Sequence, residues 1–320
     1  MYQPGFAVYI TLGIRIRMSS LFLFGAGASF GSGPCSPLPP PLGGSLFDEL
    51  RRAGGAAARV SEELAELFRH DFEAGMDRFW TEHNTWTSEL LRDMARFFAP
   101  FEPCDGNLYM ALIDALGGTR KKAVFATTNY DLLIEYAIVK SGLLISYGGL
   151  PAAPRNMPVI KIHGSCNFLP DMGSGGISGI GFDLSQSEGG SVLDAPIRVA
   201  QSTREILEFC AKEDAIAPAL ALYHPSKRVL YCRSFVRQQQ ASYLSSVKSA
   251  SRIYVVGLRV HTVDAHIWQP LASVNTPLFY VGREPGDFTE WARQNKRKSA
   301  FSVAASFAEA LPTIRSHHGG

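Results

Sequence analysis

Four apolar runs in this chain stop abruptly on glycine or on a polar side chain. LFLF gives way to GAGAS (25–29), VFA to TTNYD (127–131), VIK to IHGS (162–165), and YVV to GLRV (257–260). Short apolar runs bounded by turn residues read as strands buried on both faces. PLFYVGREP (277–285) adds a further strand. Helical patterns fall between them, at residues 60–70, 86–98, 108–116, 131–140, 202–213, 235–250 and 287–298. The pattern within 86–98 is amphipathic, with Trp86, Leu90, Leu91, Met94, Phe97 and Phe98 on one stripe. Strands alternating with helices predict an α/β fold: a Rossmann-like, doubly wound, mainly parallel sheet carrying a helical and loop insertion. Right-handed crossovers then bring all the strand ends to one edge, where ligands of such sheets bind.

The rest of the chain fits around that frame. Residues 31–45 (GSGPCSPLPPPLGGS) hold four glycines and five prolines, so a long loop must follow the first glycine turn. Ser45 is placed as N-cap of the next helix, with Asp48 three residues on. The expected organisation is an N-terminal extension (1–17), one catalytic-size domain (18–298) with helical segments over 45–116 and a Gly/Ser-rich loop at 171–191, and a C-terminal tail (299–320). FAVYITLGI (6–14) is followed, not preceded, by basic residues, the wrong charge order for a secretory signal.

Composition narrows the function classes. With 46% hydrophobic and 19% charged residues the chain is globular rather than disordered. A net charge of +2 gives no basic excess of the kind that marks direct nucleic-acid binders. No apolar run reaches the ~20 residues that span a bilayer. The five cysteines, at 35, 104, 166, 210 and 232, form no CxxC pair, which argues against a zinc module and fits a reducing, cytoplasmic setting.

Each strand end offers chemistry and also a plain structural reading. GAGAS has the glycines that let backbone approach a pyrophosphate, but the full GxGxxG pattern fails at Phe30, and no acidic residue ends a second strand ~20 residues on to hold a ribose. Asn129 can donate to and accept from a ribose hydroxyl or a water, or simply serve a turn. His163 is either a general base or a core histidine bonded to a carbonyl. His83, His224, His261 and His266 show no HxxxH or HExxH spacing, although His261 and His266 flank Asp264, so no metal is expected. GSGPC and HGSC lack the GxSxG elbow of a serine hydrolase.

Taken in order, GAGAS, TTNYD, IHGS and VVGLRVHTVDAHI (255–267) resemble the sirtuin family, and more closely the sirtuin-like domains of bacterial anti-phage defence proteins. The likeness runs from about residue 20 to 295. TTNYD matches the family's Thr-Gln-Asn-Ile-Asp motif and IHGS its Leu-His-Gly. The resemblance implies an NAD-binding enzyme that breaks the nicotinamide–ribose bond. Asn129 and His163 would be the catalytic pair. Gly25, Ala26, Gly27 and Ser29 would hold phosphates and ribose, and Asp131 would shape the nicotinamide pocket. Gly257 and Arg259 would border the pyrophosphate or adenosine ribose, with Val281 and Gly282 near the adenine.

The chain departs from the deacylase branch. GSGPCSPLPPP stands where that branch carries Gly-Ile-Pro-Asp-Phe-Arg, and its four zinc cysteines are missing. Water then replaces acyl-lysine as the expected acceptor, giving an NAD glycohydrolase that depletes NAD in defence. The resemblance also implies a homo-oligomer or a partner of ATPase/helicase or Argonaute type, through which nucleic acid would act only indirectly. The alternatives are an NAD- or ADP-ribose-binding scaffold without turnover, and a deacylase or ADP-ribosyl transferase.

Overall fold

A computed structural model describes residues 20–148, 155–173, 180–182, 191–212, 216–221, 230–261 and 264–318. Seven strands form the main sheet: β1 (Ser20–Phe24), β2 (Ala123–Thr127), β3 (Leu144–Tyr147), β4 (Asn156–Lys161), β5 (Ile253–Val256), β6 (Leu278–Val281) and β7 (Ala300–Ala304). Their spatial order is β7-β6-β5-β1-β2-β4-β3, and every neighbouring pair is parallel. The chain builds outward from β1 in one direction, then returns to β5 on the other side of β1. The switch point therefore lies between β1 and β5, where a crevice opens at the strand ends.

Alternation along the strands feeds two cores. Leu21, Leu23, Val124, Ala126, Ile160 and Ile162 point to one face. Helices α10 (Arg233–Ser249), α11 (Ala265–Ala272) and α12 (Pro285–Gln294) cover it through Tyr243, Val247, Ile267, Trp268, Leu271, Phe288 and Trp291. Phe22, Phe24, Phe125, Tyr254 and Val256 point to the other. That face carries the larger helical layer: α1 (Ala26–Phe30), α2 (Gly43–Ala53), α3 (Gly55–Ala58), α4 (Glu62–His70), α5 (Phe72–His83), α6 (Thr87–Phe98), α7 (Leu108–Leu116), α8 (Leu133–Lys140), α9 (Thr203–Cys210) and α13 (Phe307–His318). Among the described residues three short antiparallel pairs flank the main sheet, joining Cys35–Ser36 to Glu102–Pro103, Phe168–Pro170 to Ile197–Val199, and Ile180–Phe182 to Ser191–Leu193.

Several boundaries differ from the sequence reading. Residues 299–320 are not a tail, because β7 closes one edge of the sheet and α13 packs into the larger core through Phe307, Ala310 and Ile314. His318, at the end of α13, is tied down at both ring nitrogens, to Ser20 Oγ at 3.2 Å and Thr119 Oγ1 at 3.0 Å. Ser45 is not an N-cap. Helix α2 starts two residues earlier with Leu42 in the cap position, and the Ser45 hydroxyl donates back to the Leu42 carbonyl. True side-chain caps include Ser61, Asp71, Asn107, Ser202 and Ser306. The 1–17 extension and most of the 171–191 segment lie outside the described residues. Among the described residues no helix is long and apolar enough to cross a membrane.

Candidate active site

The switch-point crevice is a cleft of about 640 Å³. Three glycines shape its floor by letting the β1 and β5 turns touch. Gly27 N–H donates to the Gly257 carbonyl at 2.9 Å and Gly25 N–H to Val256 at 3.0 Å. Gly257 has φ +63°, and a Cβ there would fall 2.1 Å from the Ala28 amide nitrogen. A Cβ on Gly25 would meet the Gly257 carbonyl oxygen at 2.6 Å. Larger residues would push the two strand ends apart and fill the crevice. The Pro-rich loop ends the first helix after one turn and returns at Leu42, Gly43 and Gly44 to form part of the cleft wall. Asn107 anchors that loop, donating to Ser32 Oγ and the Pro34 carbonyl, each at 3.1 Å.

Asn129 and His163 both line the cleft, 34 residues apart in sequence but each two residues beyond the end of adjacent strands β2 and β4. Asn129 is 8% exposed. Its Nδ2 donates to the Gly25 carbonyl at 3.0 Å and to Ser29 Oγ at 2.8 Å. A carbonyl only accepts, so the orientation of the amide is fixed and both N–H groups are spent. Asn129 therefore offers the cleft an acceptor, Oδ1, rather than the donor-and-acceptor pair read from sequence. His163 is 2% exposed and sits on a turn that only glycine can follow. Gly164 has φ +79°, and a Cβ on it would lie 1.9 Å from the Ala219 carbonyl oxygen. Ala221 N–H holds the His163 carbonyl at 2.8 Å.

Beneath these two residues lies a buried ionic group. Lys161, the last residue of β4, and Glu135 on α8 are both fully buried, with Nζ 3.0 Å from Oε1. Lys161 Nζ also donates to the Asp131 carbonyl at 2.6 Å. The lysine thus ties the turn bearing Asn129 to the strand bearing His163. Burial pushes the Asp131 and Glu135 carboxyls up from their ordinary range, and the nearby Lys161 charge opposes that rise.

The other sequence-selected residues divide between the cleft wall and the layer behind it. Ala26, Gly27, Gly257, Arg259, Val281 and Gly282 line the cleft. Gly25, Ser29 and Asp131 do not. Ser29, expected as a phosphate or ribose contact, is buried and bonds Asn129 and Tyr109, so it positions Asn129 instead. Asp131, expected to shape a pocket, is buried and accepts from Leu133 N–H at the start of α8. The Gly25 and Gly27 amides are used up in closing the glycine floor. Arg259 reaches the cleft already paired, with Nε 2.9 Å from Glu284 and 3.7 Å from Asp287. A phosphate would have to compete with those carboxylates.

The sequence reading missed one wall and one neighbour. His70, Asp71, Phe72 and Glu73, at the junction of α4 and α5, face the glycine floor across the cleft. Their only local signal was the cap at Asp71. The neighbour is His266, whose Nε2 lies 2.8 Å from Nε2 of His163. Helix α10 lies over β4 and holds α11, with Tyr243 OH donating to the Ile267 carbonyl at 2.9 Å. This packing brings together two histidines 103 residues apart.

No family model matches the chain, and no curated protein matches it. Solved structures do. A mutant Sir2 homologue in complex with ADP-ribose aligns at 16% identity over 94% of this chain and 92% of that one, with a TM-score of 0.42. A Sir2 homologue–NAD complex aligns at 15% identity over 94% and 90%, with a TM-score of 0.41. A further structure, described as bearing on sirtuin substrate affinity, aligns at 15% over 94% and 94%, with a TM-score of 0.42.

Proposed function

We propose that this chain binds NAD in the switch-point cleft and hydrolyses its nicotinamide–ribose bond. The observation that carries the reading is the pairing of Asn129 Oδ1, a fixed acceptor, with buried His163 on one wall of a glycine-floored crevice. The ordered motifs that resemble sirtuins supply both residues, and the Sir2 homologues include complexes with NAD and ADP-ribose.

The chemistry suits these groups. The C–N bond to the ribose C1′ breaks, its electron pair returns to the nicotinamide nitrogen, and the cationic leaving group departs neutral. The ribose becomes oxocarbenium-like. Asn129 Oδ1 accepts from a ribose hydroxyl or from the water and so orients it. Water adds at C1′, and His163 takes its proton, with the His163–His266 pair holding the added charge. Ala26 and Gly27 border the phosphates, Val281 and Gly282 the adenine end, and Arg259 exchanges a carboxylate for a phosphate. Ser29 and Asp131 support the site from behind.

We read the activity as an NAD-depleting effector of anti-phage defence, held silent until assembly into a homo-oligomer or engagement by an ATPase/helicase- or Argonaute-type partner. The test is nicotinamide and ADP-ribose release from NAD by purified protein without acyl-peptide. Asn129→Ala and His163→Ala are each expected to lose about 10²–10⁴-fold in rate. Dependence on an acylated peptide would move the reading to a deacylase, and failure to bind NAD would end it.

A further inference from the structure

We propose that His163, Asp264 and His266 form a binding site for a divalent transition-metal ion of the zinc class, and that an ion there switches off the cleft's base. One ligand atom from each residue lies within 4.8 Å of the other two. The two imidazoles present the same nitrogen to one another, Nε2 to Nε2 at 2.8 Å, with ring centroids 5.0 Å apart. Two nitrogens bound to one ion at ~2.0–2.1 Å lie about 3–3.4 Å apart, so an ion needs an opening of only a few tenths of an ångström. Asp264 opens α11, yet its side chain makes no capping bond to that helix. Its oxygen gathers with the imidazole nitrogens instead.

Two histidines and one carboxylate are a donor set that suits first-row divalent ions and leaves positions open. Here the open side is the cleft, which His163 and Asp264 line, while His266 also borders a second pocket of about 380 Å³ walled by α10 and α11. The ligands stand on rigid supports. Ile267, Trp268 and Leu271 anchor α11 in the core, and the Gly164 turn fixes His163. Without an ion, one Nε2–H donates to the other Nε2. An ion displaces that shared proton, which moves to Nδ1 of the ring that carried it, and takes both Nε2 lone pairs.

The inhibitory part rests on the proposed hydrolase, because a metal-bound His163 Nε2 no longer accepts a proton from water. The site itself does not depend on that reading. The deciding experiment is a titration of chelator-stripped full-length protein with Co²⁺ alone, followed by visible absorption. We expect one ion per chain, d–d bands of nitrogen and oxygen ligation without a thiolate charge-transfer band, and displacement by Zn²⁺. His266→Ala and Asp264→Asn, with folding checked by circular dichroism, are expected to weaken binding at least about tenfold. Absence of d–d bands, a thiolate band, or unchanged affinity in both variants overturns the site. Zn²⁺ is further expected to abolish NAD cleavage by the wild type, reversibly by EDTA. Full cleavage with Zn²⁺ bound overturns the inhibitory role. A wild type that binds Co²⁺ at this site but does not bind NAD ends the hydrolase reading and leaves the metal site standing.

Discussion

Replacing Lys161 by Met should cost stability in a manner that depends steeply on pH. The substitution preserves most of the side-chain volume but leaves the fully buried Glu135 carboxylate without its cation and the Asp131 carbonyl without its donor. The protein can relieve the stranded charge by protonating Glu135. From an ordinary carboxyl value of 4.5, that protonation at pH 7 costs about 3.4 kcal/mol, at ~1.36 kcal/mol per unit. The figure is a ceiling on the charge penalty. A buried carbonyl left unsatisfied adds about 1–3 kcal/mol, for a total of about 4–6 kcal/mol, in line with other broken buried pairs.

At pH 5 the same protonation costs only about 0.7 kcal/mol. A carboxyl whose folded value is raised favours the folded state at low pH and loses that contribution as pH rises through the folded value. The gap between wild type and Lys161→Met should therefore narrow by about 2.7 kcal/mol between pH 7 and pH 5. Urea unfolding followed by tryptophan fluorescence measures it, and Lys161→Met/Glu135→Gln should recover part of the loss at pH 7. A pH-independent gap, or a double variant as unstable as the single, would show that the pair does not carry the charge assigned to it. Activity adds a second readout. Lys161 joins the Asn129 turn to the His163 strand, so the proposed NAD cleavage should fall in the variant even at temperatures where it stays folded.

Two further perturbations probe the supports of the site. Gly164→Ala forces a Cβ to 1.9 Å from the Ala219 carbonyl oxygen, whereas Gly142→Ala, also at a positive φ, meets nothing within 4 Å. The Gly142 variant should lose about 1–2 kcal/mol, the cost of left-handed backbone alone, and the Gly164 variant clearly more, by thermal or urea unfolding; equal losses would remove the crowding argument. His318 is pushed down from 6.5 to about 4 by burial, Arg252 and His317. Its contribution is complete above the unfolded value of 6.5 and is lost as pH falls through about 4. Acid titration of stability should steepen over that window, by about 1–2 kcal/mol after allowing for its partial solvation, and His318→Gln should flatten it.

The parts of this fold legible in the sequence are those set by local pattern. Apolar runs ending on glycine or a polar side chain located β1, β2, β4, β5 and β6, because burial on both faces of a parallel sheet leaves a signal independent of the rest of the chain. The edge strand β7 was lost for the converse reason: Phe301 and Ser302 face solvent, and a half-exposed strand has no uninterrupted apolar run to read. Strand β3, buried at three of its four positions, was lost because its apolar run is only Leu143–Ile145 and closely follows a helical pattern. Helix α13 was lost because Pro312 lies inside it and breaks the pattern. At the site, Asn129 and His163 were visible because each ends its own strand. The supporting role of Ser29 was not, since GAGAS reads the same whether its hydroxyl faces a phosphate or an asparagine.

His266 shows most clearly what sequence order cannot carry. It follows β5, which β1 and β2 separate from the β4 strand that leads to His163. Strand adjacency alone would keep the two histidines apart. They meet because α10 lies over β4, through Gln239 accepting from Lys161 N–H at 3.2 Å, and α11 packs on α10. The contact is thus made by the helical layer rather than the sheet, and it depends on two crossings that no spacing rule encodes. For the same reason the His163–Asp264–His266 group should be sensitive to substitutions in α10 that leave every strand untouched. Shortening Tyr243 to Phe removes only its hydroxyl bond to α11, so the sheet should survive while the imidazole pair loosens.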